Sequence, residues 1–428
     1  MRRFALVWAL AFVFVYGTIG FAQTTITFWH WNTPERQQVI DPLIDQFEAE
    51  TGIRVDRQMV AWAELKERLI LGLAGGVAPD VAAVSSDWGT ELSLLGVFAD
   101  LGPYIERDAQ YDYDDIFPSA FELWQTREGL QYAFPFDFDI SAMFYSRTMF
   151  DEAGMAYPDD SLTWQSMYDT AKRLTVDQDG DGQPDQYGFA NGHSHWATYV
   201  WANGGQLIAD DGVSPALHTS QALEALEFWK AMGEPDVNMA WGEAARFGFP
   251  HPPAAFAGGK IALYPIGAWA PSAFFKDSAS GEWLTDFDVT HMPRSYSGGR
   301  STLAAGQGMG VMATSDKKEA AFEFVKFLAS VDVQAVSGRD LGQFPIRRSV
   351  ALSDAFIVPG EPPTNKAVFV EATAYAQSYP KVANWPEAFR VMNAQVADFV
   401  AERRSLSEII ENIQAIVPTV LREGAASN

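Results

Sequence analysis

Residues 175–189, TVDQDGDGQPDQYGF, set Asp177, Asp179, Asp181, Gln183 and Asp185 at alternate positions, with Gly182 sixth in the run. That spacing matches the first nine positions of a calcium loop, where carboxylates at alternate positions turn onto one hard cation. The twelfth position calls for a bidentate glutamate and holds Gly188, and YGFANG follows instead of an amphipathic helix. A helix-opening calcium switch is therefore not expected. Two readings stay open: a structural calcium completed by a distant carboxylate, and a turn of Asx caps and glycines.

A second pair of carboxylates stands in FPFDFDIS. Alternation along an extended strand puts Asp137 and Asp139 on one side and Phe136 and Phe138 on the other. A glycosidase needs two carboxyls facing each other across a bond, about 5 Å or 6.5–9.5 Å apart. Two on one strand approach from a single side. Other chemistry finds less support. Lys260 in FAGGK lacks the upstream glycine and following Ser or Thr of a phosphate loop, and the glycines after Ala305 lack the later glycine and acid of a dinucleotide fingerprint. His193 and His195 in NGHSHW have no third ligand at a known metal spacing, so with Asn191 they read as a polar cleft edge. There is no cysteine, hence no disulfide or thiolate chemistry.

The elements that must position these residues follow from pattern and length. The chain of 428 residues, 48% hydrophobic, is long for one compact domain and predicts two lobes. Arg2 and Arg3 precede the apolar run ALVWALAFVFVYGTIG, and small residues follow, the layout of a secretory signal over 1–22 cleaved near Ala22. A retained anchor is the alternative, although a run of roughly 15 apolar residues is short for a span. The mature chain is expected to be exported and soluble. The net charge of the full 428-residue chain is -25, and loss of residues 1–22 with their two arginines makes it more negative still, which repels nucleic acid and anionic membranes. TTITFWHW, the helix from Pro34 with Val39, Ile40, Leu43, Ile44 and Phe47 on one face, IRVDRQMV, a helix from Trp62 to Ala74 and DVAAVS form β-α-β-α-β, which predicts a parallel sheet covered by helices. Helices are further expected near 163–174 and 220–232, and in the tail.

ITFWHW with FEAETGIRV, then AGGVAPDVAAVSSDWGTELSLLGVFADL, FPFDFDISAMFYSRTMFDEAG, LTWQSMYDTAKRLT, WANGGQLIADDG, AAFAGGKIALYPIGAW and AAGQGMGVMATSDKKEAAFEFVKFL run in an order that resembles the extracellular solute-binding proteins of carbohydrate-uptake ABC transporters, the maltose-binding-protein-like family. The resemblance covers nearly the whole mature chain. It implies two hinge-connected α/β lobes with the ligand in the cleft between them. It places lobe 1 at 23–134 plus 291–343 and lobe 2 at 135–290 plus 344–428. It further implies a monomeric carrier that performs no chemistry, closes on a sugar or polyol and delivers it to a membrane permease.

A sugar needs carboxylate acceptors for its hydroxyls and aromatic faces for its C–H patches. By family position Trp269 in PIGAW is the stacking residue, and Asp87 in SSDWG and Asp139 at the crossover are the ligand acids, with Asp137 beside it. Asp87 is equally placed to act as an N-cap. Trp88 is expected either to line the cleft or to pack inward. Trp31 and Glu35 sit at the carboxyl end of the first strand, where α/β proteins bind ligands. Gly306 and Gln307 let backbone approach a ligand, and Trp196, Arg347 and Trp385 are further cleft candidates. No cofactor is required, calcium at the Asp177–Asp185 loop being optional and remote from the sugar. An exported glycoside hydrolase is the rival reading; a calcium-dependent adhesion module would repeat its loops, and only one copy is present.

Overall fold

The computed structural model describes residues 23–31, 34–191, 195–277 and 279–426. The expected signal segment 1–22 and His193 lie outside the described residues, as does the side chain of Glu35. Among the described residues no helix is long and apolar enough to cross a membrane.

Strand β1 (Thr25–His30) leads into helix α1 (Pro34–Thr51), which buries Ile40, Ile44 and Phe47 and ends before Gly52. Gly52 takes a left-handed φ of 73°, a conformation that suits glycine best. Strand β2 (Arg54–Met59), helix α2 (Trp62–Gly75) and β3 (Val81–Ser85) follow, and β1 pairs in parallel with both β2 and β3. The β-α-β-α-β unit expected from the sequence is thus present. The chain continues through β4 (Phe134–Pro135), β5 (Asp139–Ser146), β6 (Tyr187–Phe189), β7 (Ile261–Gly267), β8 (Phe287–Thr290), β9 (Thr302–Ala305), β10 (Gln307–Val311) and β11 (Ala376–Gln377).

Two sheets result. The first has the order β2-β1-β3-β10-β4; the second has the order β11-β9-β5-β7-β6, with β8 also on β5. The five residues of β3 are all buried, as the continuous apolar run VAAVS requires of a strand covered on both faces. Helices Trp164–Leu174 and Ser220–Met232 lie near the expected ranges, each started by a threonine side chain that accepts a backbone N–H. The tail forms two helices, Trp385–Val400 and Leu406–Ala426.

Chain segments pass between the sheets where they carry the site. β4 belongs to the first sheet and β5 to the second; β9 belongs to the second and β10 to the first. The two passages meet where the carbonyl of Gln307 accepts the N–H groups of Phe136 (3.0 Å) and Asp137 (3.1 Å). Gly306 lies at this meeting point, and a Cβ there would fall 2.5 Å from the Asp137 carbonyl oxygen. Residues 302–305, grouped with lobe 1 on sequence, pair with β5 and β11 in the second sheet.

Candidate functional site

The passages between the sheets form the floor of a cavity of about 470 Å³. Trp31, Arg36, Trp62 and Asp87 line it from elements of the first sheet; Asp139 and Trp269 line it from the second; Asp137, Gly306 and Gln307 come from the passages. Four of them arrive just after a strand. Trp31 follows β1, Trp62 opens the helix after β2, Asp87 lies two residues beyond β3, and Trp269 lies two beyond β7.

Local sequence makes these approaches feasible. Gly267, in PIGAW, has no side chain because an added Cβ would fall 2.1 Å from Asp139 Oδ1 and 2.5 Å from Trp269 Nε1. Asp139 and Trp269 therefore converge over a glycine. Asp87 follows the turn Ser85-Ser86, where the Ser86 hydroxyl accepts the N–H of Gly306 at 3.2 Å. The short helix after it begins at Gly89 with Trp88 at the cap position, so the capping role considered for Asp87 is not the one it holds.

Asp137 is held through both of its carboxylate oxygens. Its Oδ1 accepts the backbone N–H of Gln307 at 2.5 Å, and its Oδ2 accepts the amide of Gln343 at 2.8 Å. Desolvation pushes its carboxyl up to about 6, with the Asp139 charge acting in the same direction; Arg36 and the two hydrogen bonds oppose the rise. Burial draws the Arg36 guanidinium below its ordinary value, against the pull of Asp137 and Asp139. Acceptors, a guanidinium and three tryptophan faces around one cavity are the groups that bind a polyhydroxylated molecule by hydrogen bonds and C–H stacking.

Seven of the expected residues line this cavity: Trp31, Asp87, Asp137, Asp139, Trp269, Gly306 and Gln307. Four others do not. Trp88 is buried in the first-lobe core, edge-on to Trp31 at 6.4 Å, and so supports a cavity residue from behind. Trp196 is buried among second-lobe side chains, donating Nε1–H to Asn393 and stacking on Phe389. Arg347 is 3% exposed and is taken up by Asp115, the carbonyl of Asp112 and, through Nε, the carbonyl of Ala329. A buried guanidinium needs such partners, and these lie away from the cavity. Trp385 opens a terminal helix and borders a smaller void behind Asp87.

Arg36, Trp62, Ser86, Gln343 and Phe344 line the cavity without having been expected there. Trp62, like Trp31, stands just after a parallel strand, and that position is its signal in the sequence. Gln343 and Phe344 carry no local signal; only the tertiary fold brings them beside Asp137.

In the aspartate loop, carboxylate oxygens of Asp177, Asp179 and Asp185 lie within 4.8 Å of one another, and Asp181 is not among them. Asp177 accepts the N–H groups of Gly180 and Gly182, Asp179 that of Asp181, and Asp181 that of Gln183. These bonds hold the Asp177 carboxyl below its ordinary value. Gly188 is fixed by packing: a Cβ would fall 1.9 Å from the Ala171 carbonyl oxygen, so no twelfth-position carboxylate fits. Three converging carboxylates suit a hard cation, with the remaining oxygens left to backbone or water.

Comparison with known proteins agrees with this architecture. The sequence profile of the family described as bacterial extracellular solute-binding protein matches residues 42–367. A mannitol-binding protein of Pseudomonas aeruginosa is 25% identical over 251 residues, 56% of this chain and 54% of that one. An erythritol/L-threitol-binding protein of Mycolicibacterium smegmatis is 29% identical over 176 residues, 38% of this chain and 35% of that one. An ABC substrate-binding protein of Listeria monocytogenes, solved with cycloalternan, superposes with a TM-score of 0.78 at 22% identity, covering 93% of this chain and 98% of its own. The fold is that of the two-lobe periplasmic binding proteins, and the chain belongs to the bacterial extracellular solute-binding protein family.

Proposed function

We propose that this protein binds a sugar or polyol in the cavity between its two sheets, closes on it and passes it to the membrane permease of an ABC importer. One observation carries the reading: Trp31, Arg36 and Asp87 from one sheet and Asp139 and Trp269 from the other line a single cavity. A ligand touching both sides stabilises the shut form over the open one, which is how binding drives closure. The polyol-binding relatives support the ligand class.

Catalysis is not part of the proposal. Asp137 and Asp139 stand two residues apart on one passage, and both Asp137 oxygens already accept hydrogen bonds. A hydrolase would need its two carboxyls on opposite sides of the scissile bond. We propose further that the chain is exported with loss of residues 1–22, acts as a monomer without nucleic acid, and divides into lobes at the passages near 135–139 and 305–307.

Thermal shift against erythritol, mannitol, ribitol, glucose and maltose tests the reading. A ligand at 100 times its dissociation constant adds about 2.7 kcal/mol of stability. Melting unchanged by every member of the panel would sink the carbohydrate assignment; consumption of an oligosaccharide would favour the hydrolase.

A further inference from the structure

On its Asp87 side the cavity narrows sharply. Ser86 and Asp87 also border a second void, of only about 20 Å³. One water needs at least roughly 10–15 Å³ of such space, so about one water fits there and a sugar ring does not. The void is small because Tyr379, Pro380 and Lys381, just after β11, stand opposite Leu123 of the first-sheet side.

This barrier is anchored to the first-sheet side through Lys381 and to the second through Tyr379. Lys381 Nζ donates to the carbonyl of Glu122, and nearby Arg127 Nη2 donates to the carbonyl of Asp210 at 2.8 Å. Both bonds join the first-sheet side to the second. The Tyr379 ring lies parallel to His195, within 8°, and its hydroxyl meets His195 Nε2 at 2.5 Å. Trp385 and Phe389 pack on the same ring, at centroid distances of 5.7 and 4.9 Å. A tyrosine braced in this way does not swing aside for a longer ligand.

We propose that Tyr379, Pro380 and Lys381 form a wall that stops a ligand from extending beyond Asp87, and so favours a short polyol or single sugar ring over a longer chain. The proposal rests on the carbohydrate reading. Calorimetry on the mature chain would use two series, mannitol, maltitol and maltotriitol, and glucose, maltose and maltotriose. The expected result is a loss of about tenfold or more in affinity from the shortest to the longest member of the series that binds, the scale on which pocket contacts discriminate. Lys381→Ala, which shortens the wall, should narrow that ratio by about fivefold. Arg127→Ala, which removes the bond to the Asp210 carbonyl and leaves the wall standing, should preserve the ratio while weakening every ligand. Equal affinity across a series, or a Lys381→Ala profile parallel to that of Arg127→Ala, overturns the wall alone. Failure of both series to bind overturns the carbohydrate reading and takes the wall with it.

Discussion

Gln307 and Asp137 are bonded in both directions. The Gln307 N–H donates to Asp137 Oδ1 at 2.5 Å, and the Gln307 carbonyl accepts the Asp137 N–H at 3.1 Å. Gln307 opens β10 of the first sheet, and Asp137 lies between β4 and β5, one in each sheet. The same residues therefore join the two sheets and line the cavity, so under the proposed function a change at Asp137 should be felt in both stability and binding.

Opposite pH slopes follow from Asp137, whose carboxyl faces Arg36 and Asp139 and is pushed up to about 6. A raised carboxyl stabilises the fold fully below its unfolded value of 3.8, and that contribution is lost as pH rises through about 6. The whole effect is at most on the order of 3 kcal/mol. Affinity should run the other way, falling as pH drops through about 6, because a protonated Asp137 is a poorer acceptor for ligand hydroxyls. Asp137→Asn should flatten both slopes, read by urea melts and by calorimetry between pH 5 and pH 8. Unchanged slopes in the variant would assign them elsewhere.

Trp269 and Trp196 should separate binding from stability. Trp269 faces the cavity and is half-buried, so Trp269→Ala should weaken ligand binding roughly tenfold with little change in melting. Trp196 is 3% exposed and lies in the core, so Trp196→Ala should lower stability by about 3–5 kcal/mol while the folded fraction keeps its affinity. The reverse assignment in paired melts and titrations would refute the site.

Arg347→Met should lower stability by about 3–5 kcal/mol, because Asp115 is left without its guanidinium. Ligand affinity measured below the melting transition should be unchanged. A selective loss of affinity would return Arg347 to the ligand site.

Calcium at Asp177, Asp179 and Asp185 is proposed as a staple of an exposed loop. Calcium should raise the melting temperature by about 1 °C, the shift that about 1 kcal/mol gives on a chain of this size, and a chelator should reverse it. Polyol affinity should not move. Asp177→Asn should abolish the shift; a chelator that abolished polyol binding would contradict the loop's independence.

Several site residues were legible because their signals are local. FPFDFDIS brings Asp137 and Asp139 to one cavity, although it is not one strand: β4 ends at Pro135, β5 starts at Asp139, and Phe138, expected on the opposite side, lines the cavity between the two acids. PIGAW puts a glycine where Asp139 and Trp269 converge. Trp196 and Trp385 misled for the same reason: each stands near a loop and a polar run, yet packs on Phe389 of a helix almost two hundred residues away from Trp196 and only four from Trp385. Gln343 could not be read at all, since its amide finds Asp137 across 206 residues of chain.

By itself the sequence determined the β-α-β-α-β start, the helices with threonine caps, and the ends of strands where ligand groups gather. These depend on periodicity and on residues a few positions apart. Tertiary structure alone decided that β9 joins the second sheet and β10 the first, that Arg36 and Gln343 lie beside Asp137, that Arg347 is spent on Asp115, and that Tyr379 to Lys381 line a small void beside Asp87. The physical reason is that strand pairing and burial reward contacts between segments far apart in the chain, and the local pattern carries no record of which distant partner a buried charge will find.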